Sequence, residues 1–367
     1  MKRRAFVSSA GLGGVAAGAG VVASGFPRPA IAQERIEMNI VSTWPRDFPG
    51  LGTGAQRLAR NIADLSEGRI QVQYFAAGER VGAFDAFDEV ASGNAQAYHG
   101  ADYYWKGKHP AFSYFTTVPM GLTYTEAASW LHFMGGQELW DELAGEFGLK
   151  NLSAGNSGVQ MGGWFNKEME SPDDFKGLKM RIPGLGGDVI SKLGGSPVSL
   201  PGGQIYENLV SGALDATEWV GPWNDYFLKF YEAAKYYYWP GMHEPGSILS
   251  FGMNKAFWDG LSANDQMLIR ACCSIENDFG MAEFNANNGV YLDKLINEHG
   301  VALREFNDDI YEAFAAAAEE VFEETRQHGD LTNRVHESFL AARKGVGGWM
   351  KLADVGYSVK RNRGLGL

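Results

Sequence analysis

Two residues at the ends of short apolar runs carry the clearest chemistry in this sequence. Arg181 closes the run in Leu178-Lys179-Met180-Arg181-Ile182-Pro183-Gly184, and Glu218 stands beside Trp219 in Ala216-Thr217-Glu218-Trp219-Val220-Gly221-Pro222. Strand ends of open α/β sheets face ligand clefts. A guanidinium there offers a planar fork that takes a carboxylate through two parallel hydrogen bonds. On spacing alone, Arg181 reads equally well as a surface arginine, and Glu218 as half of a strand-end salt bridge.

Most enzyme signatures are absent. His243-Glu244 runs into Pro245 and lacks the second histidine of a zinc protease motif. Gly155-Asn156-Ser157-Gly158-Val159 lacks the closing glycine of a nucleophile elbow. In Gly184-Leu185-Gly186-Gly187 the third glycine of a dinucleotide fingerprint is replaced by Val189. The seven histidines are scattered, so neither a zinc site nor a catalytic triad has local support. Cys272 and Cys273 are the only cysteines. Adjacent in a helical pattern, they cannot reach ordinary disulfide geometry and read as filler.

The elements that must position Arg181 and Glu218 follow from hydrophobic spacing. Ile36, Met38 and Ile40 share one face of a first strand, and Ile70, Val72 and Tyr74 one face of a second. Between them a helix opens on a capping box of Thr53 and Gln56, carries the stripe Leu58, Ala59, Ile62 and Leu65, and stops at Gly68. A second unit begins near Asn151. There Ser171-Pro172-Asp173-Asp174 opens a short helix, 178–182 reads as a strand, 187–193 as a helix and 214–219 as a strand. The β-α-β order predicts α/β layering with mostly parallel strands. Past Gly260, Ser262 and Asp265 cap a helical pattern that runs to Leu295, on the order of 50 Å. It either kinks at Gly280 or Gly289 or bridges two lobes. Helical stretches near 310–327 and 333–351 close the chain, and their stripe of Phe314, Val321 and Phe322 needs a cover.

With 367 residues, 45% of them hydrophobic and 13% aromatic, the chain can bury a large core and predicts two domains rather than one. Residues 1–32 read as a secretory signal: Lys2, Arg3 and Arg4, an uncharged run over 5–27, then Ala30-Ile31-Ala32 of small-x-small form. Arg3-Arg4-Ala5-Phe6-Val7 matches the core of a twin-arginine signal. Gly, Ser and Ala dilute the run below what a membrane anchor requires. Its removal takes four basic residues and no acid, moving the net charge from −12 to −16. So acidic a surface argues against nucleic acid and anionic membranes as partners.

Four stretches carry a family resemblance: Ser42-Thr43-Trp44-Pro45, the run from Gly155-Asn156 through Gln160 to Trp164, Asp174-Phe175-Lys176-Gly177-Leu178-Lys179-Met180-Arg181, and 213–222 around Glu218-Trp219. In that order they resemble the periplasmic substrate-binding subunits of TRAP transporters, closest to the 2-oxo acid binding subgroup. The resemblance implies a two-lobed α/β clamshell with ligand between the lobes and long C-terminal helices. It implies that Arg181 grips the ligand carboxylate and that a cation, Na+ or Ca2+, is held by Gln160, Glu218, the carbonyl of Trp219 and Glu244, all oxygen donors. Asn156, Trp44, Tyr103, Tyr104 and Trp219 complete the expected substrate site, with Trp223 a further candidate wall. His243 stands where an aromatic residue is expected.

The lobes implied are 33–155 with about 245–305, and 156–244. Residues from about 306 to 367 then pack on the hinge or exchange with a second copy in a homodimer. The implied function is a soluble periplasmic receptor that binds a small 2-oxo or 2-hydroxy monocarboxylate and passes it to TRAP membrane permease subunits without chemistry. The alternatives are a receptor for a C4-dicarboxylate or sugar acid, or a periplasmic enzyme.

Overall fold

The structure is a computed structural model that describes residues 35–367, so the expected signal at 1–32 lies outside the described residues. Two sheets organise the chain. The first contains β1 (Ile36–Ser42), β2 (Ile70–Phe75), β3 (Ala97–Gly100), β4 (Leu149–Asn156) and β10 (Ile248–Asn254), in the order β2-β1-β3-β10-β4. The second contains β5 (Gly163–Phe165), β6 (Lys179–Arg181), β7 (Ser196–Val198), β8 (Ala216–Thr217), β9 (Tyr236–Trp239) and β11 (Ala302–Glu305), in the order β11-β9-β5-β8-β6-β7.

Each sheet is mixed rather than mostly parallel. β10 runs antiparallel to both of its neighbours, and so does β5. These are the strands by which the chain enters one sheet from the other, so a crossing sets their direction, not a helical crossover within one sheet. The expected lobe boundaries grouped 302–305 with the first lobe, whereas β11 pairs in parallel with β9 of the second sheet.

Local boundaries shift for identifiable reasons. The first helix, Leu51–Leu65, begins before Thr53, which therefore sits at its third position, its hydroxyl accepting from the amide of Gly50 at 3.0 Å. Gly50 has φ +70°, and a Cβ there would meet the Phe284 ring at 2.6 Å, so glycine is required on both counts. The helix expected over 187–193 spans Gly184–Lys192, and the strand expected over 214–219 shortens to β8, leaving Glu218 and Trp219 just beyond its end.

The long helix, Ala263–Asn297, is helical throughout, Gly280 and Gly289 included. It bridges. Asn277 accepts from the Ser153 hydroxyl (2.9 Å) and the Gly155 amide (2.6 Å) at β4, while Asn288 accepts from the Trp223 amide (3.1 Å) at the start of the Pro222–Phe227 helix. Cys272 and Cys273 are both free and buried in it. Phe314, Val321 and Phe322, on the Asp308–Arg326 helix, are covered within the chain, Phe314 by Phe175 and Phe306 and Phe322 by Tyr114. They need no second copy. A last helix, Asp354–Leu365, was not expected and buries none of its residues. Among the described residues no helix is long and apolar enough to cross a membrane.

Two buried carboxyls tie aromatic side chains into the cores. Asp102 accepts from the Tyr98 hydroxyl (2.9 Å), the Trp140 indole (2.9 Å) and the Asn151 amide (2.8 Å), and Asp225 from the Trp164 indole (2.9 Å) and the Tyr237 hydroxyl (2.7 Å). Burial pushes both up to about 6. The folded chain therefore takes up these protons at higher pH than the unfolded chain, so each contribution to stability grows as pH falls from about 6 to about 4. Urea denaturation across that window is expected to show the wild type gaining up to about 3 kcal/mol relative to Asp102→Asn. A pH-independent difference contradicts it.

Candidate functional site

Sheet register brings the two residues singled out from the sequence together. β6 and β8 run parallel with Arg181 opposite Thr217, so Glu218, one residue on, lies beside the guanidinium. Both are buried, Arg181 at 1% exposure and Glu218 at 0%. Nη1 of Arg181 pairs with Oε1 of Glu218 and donates to the Glu218 carbonyl at 3.2 Å, while Nε donates to the Leu200 carbonyl at 3.1 Å. The guanidinium carbon lies 5.0 Å from the Trp219 ring centre. Burial works to lower the Arg181 pKa and is the largest single influence, but Glu218, Tyr104, Tyr103 and Glu244 together outweigh it and the net direction is up. The fork is thus not wholly open, as the strand-end reading assumed: two of its three nitrogens are bonded inside the chain, and only Nη2 is buried without a partner.

The other oxygen of Glu218 faces Nε2 of His243 at 3.2 Å, and Glu244 follows, with both residues buried. Ligating atoms of Glu218, His243 and Glu244 lie within 4.8 Å of one another. Burial lowers the His243 pKa, but its hydrogen bond to Glu218 and the neighbouring charges raise it above its ordinary value overall. Burial and the Glu218 charge push the Glu244 carboxyl up, to about 7.

Gln160 and Glu244 sit on the two segments that cross between the sheets, 157–162 and 240–247. The crossings are hydrogen-bonded to each other: Ser157 amide to Ser247 carbonyl at 3.1 Å, Gln160 amide to Glu244 carbonyl at 3.0 Å, and Gly241 amide to Gln160 carbonyl at 3.0 Å. The Gln160 side chain donates to the Ser157 hydroxyl at 2.8 Å, which leaves its Oε1 buried and unpartnered. Oε2 of Glu244 and Nε1 of Trp219 are unpartnered too.

Against this cluster opens a small cavity lined by Trp44, Tyr103, Tyr104, Gln160 and Trp219. Ser157, Val220, Ser247, Leu51 and Leu249 line it as well. The Trp44 and Trp219 rings meet edge-on at 6.3 Å, and the Trp44 indole donates to Nδ1 of His99 at 2.9 Å. Burial pushes Tyr104 up to about 12, so its phenol stays neutral.

Two expected residues fall elsewhere. Asn156 accepts from the Gly158 amide at 2.8 Å and lines a separate cavity with Tyr124, Ser153 and Asn277. Trp223 packs on Phe284, their ring centres 5.4 Å apart. Sequence reasoning had no role for His243, because its contact with Glu218 depends on where the second crossing passes, and no spacing encodes that.

The family model described as bacterial extracellular solute-binding protein, family 7 (DctP), matches residues 40–328. The chain is 36% identical over 322 residues to a monocarboxylate 2-oxoacid-binding periplasmic protein of Nostoc sp. PCC 7120, with 88% of each chain covered. It resembles the crystal structure of a TRAP periplasmic solute binding protein from Pseudoalteromonas atlantica with bound sodium and pyruvate. That identity is 35% and the TM-score 0.85, over 88% of this chain and 98% of that one. For a counterpart from Colwellia psychrerythraea with bound calcium and pyruvate the identity is 34% and the TM-score 0.86, over 89% and 99%.

Breaking one half of a buried ion pair strands the other charge. Glu218→Leu is expected to cost about 3–5 kcal/mol in chemical denaturation, and the double variant Arg181→Met/Glu218→Leu to recover most of it. Additive losses in the two single variants and the double contradict the pairing.

Proposed function

The chain belongs to the bacterial extracellular solute-binding proteins of family 7, the DctP family of TRAP solute-binding proteins, and on that premise we propose that it captures a small 2-oxo or 2-hydroxy monocarboxylate together with a cation. The observation that carries this reading is the collection of buried, unpartnered polar atoms in one site: Nη2 of Arg181, Oε1 of Gln160, Oε2 of Glu244 and Nε1 of Trp219. Buried polar groups in folded proteins are nearly always hydrogen-bonded. A cationic donor and two bare oxygens together ask for an anion and a cation.

The donor set fits a hard cation, which takes oxygen ligands. In this reading Gln160, Glu218, Glu244 and the Trp219 carbonyl hold it, and Arg181 holds the ligand carboxylate. Glu218, Glu244 and that carboxylate sum to three formal negative charges against one on Arg181. Ca2+ offsets the remainder better than Na+, and relatives are known with each. The cavity lined by Trp44, Ser157 and Gln160 is a small one, which favours a compact monocarboxylate over a larger acid. Trp44, Tyr103, Tyr104 and Trp219 exclude water from it. A second ligand carboxylate would meet Glu218 and Glu244, which disfavours C4-dicarboxylates. Asn156 acts one step away, by fixing the turn that carries Ser157 to the cavity.

The rest of the reading is transport without chemistry. Residues 1–32 direct export to the periplasm by the twin-arginine route, the lobes built on the two sheets close on the solute, and closure is a population shift toward the state in which both lobes touch it. The closed surface is what membrane permease subunits would recognise.

Calorimetry tests the site. Pyruvate or lactate is expected to bind in Na+ or Ca2+, and Arg181→Ala to weaken binding by about 2–5 kcal/mol, some thirtyfold or more. Lysine at 181 rescues only in part, since an ammonium lacks the fork. Chelation with desalting, and Gln160→Leu, are each expected to weaken binding as well. Unchanged affinity after exhaustive cation removal overturns the cation, and turnover of the solute would point to an enzyme.

A further inference from the structure

Arg181 carries five N–H donors in one plane, and two of its three nitrogens are bonded within the chain. Nε is held by the Leu200 carbonyl, and Nη1 by both the carbonyl and the carboxylate of Glu218. Nη2 alone is free. A solute carboxylate that takes the fork end-on needs one hydrogen from Nη1 and one from Nη2. Nη1 is already bonded to the carboxylate of Glu218, so a solute carboxylate arriving at that end competes with it. Glu218 is wholly buried, so leaving Arg181 with nothing in exchange would strand two buried charges. His243 faces its other oxygen, and the unpartnered Oε2 of Glu244 lies in the same cluster.

We infer that Glu218 is an internal stand-in for the solute carboxylate, holding Arg181 in the empty protein and passing to the cation when the solute takes its place. The inference rests on the reading that this site takes a 2-oxo acid with a cation, and adds how the two are coupled. Each partner is exchanged rather than lost: Arg181 trades one carboxylate for another, and Glu218 trades a guanidinium for a cation while keeping His243. Cation dependence then has two sources, contact with the solute and release of Arg181.

The two sources separate in a titration of pyruvate against wild type and Glu218→Gln, with Na+ and Ca2+ removed and with Ca2+ saturating. In the wild type Ca2+ is expected to raise pyruvate affinity about tenfold or more, and pyruvate to raise Ca2+ affinity by the same factor. The neutral amide of Glu218→Gln competes weakly for Arg181. Its cation-free pyruvate affinity is therefore expected to rise about tenfold above that of the wild type, and Ca2+ to add less than about threefold. If Glu218 is a cation ligand and nothing more, the variant loses the Ca2+ enhancement while its cation-free affinity stays at or below the wild-type value, and the proposal is overturned.

Glu218→Asp keeps the charge but is one methylene shorter and releases Arg181. It is expected to raise cation-free affinity too, and decides the matter should Glu218→Gln fail to fold. If the wild type binds no pyruvate in saturating Na+ or Ca2+, the functional reading itself fails and this inference falls with it. Binding by the wild type without the rise in either variant sinks only the stand-in.

Discussion

A guanidinium sealed from water at the end of β6 sets the terms for everything around it. It can neither shed its proton nor be left unpaired, so the chain must bring a carboxylate to it and close both off together. β8 does this by lying parallel to β6 with Thr217 opposite Arg181. Glu218 then pulls His243 and Glu244 into the same low-dielectric space, where like charges raise the cost of ionising the second carboxyl. The atoms left over after these internal pairings are the ones that the proposed site would offer to a solute and a cation.

Placing such a pair takes more chain than the pair itself. β5 to β9 of the second sheet lie between the two crossings, whose mutual hydrogen bonds bring the Gln160 and Glu244 backbones together. The Ala263–Asn297 helix is pinned to β4 through Asn277 and to the Pro222–Phe227 helix through Asn288. The first sheet supplies Trp44, Tyr103 and Tyr104 from the ends of β1 and β3, and the second supplies Trp219 from the end of β8. Each wall is thus a strand end, as the general behaviour of α/β sheets leads one to expect.

What was legible in the sequence divides along the range of the interaction involved. Period and capping placed β1, β2, the long helix and its Ser262 cap, because those signals are local. Arg181 and Glu218 stood out as charges at strand ends, but that they pair with each other depends on sheet register. Gln160 and Glu244 carried no local signal, and only the resemblance to a family pointed to them. His243 was noted only as a departure from the pattern, and its contact with Glu218 stayed hidden. Asn156 shares a motif with Gln160, but its side chain accepts from the Gly158 amide and it lines a separate cavity. The Asp354–Leu365 helix escaped notice because it buries nothing, and hydrophobic spacing can find only helices that pack.

That Gln160 and Glu244 belong to the crossings has a mechanical consequence. A ligand gripped only by the two jaws would leave the segments that join them, the pivot, free to flex. Here an ion shared between the two side chains would cross-link the pivot itself, tying two backbone segments much as a clip closes a loop and removing conformational entropy from the joint. The jaws and the axle would then stiffen in one event, so occupancy would be reported by the rigidity of the joint as well as by its angle.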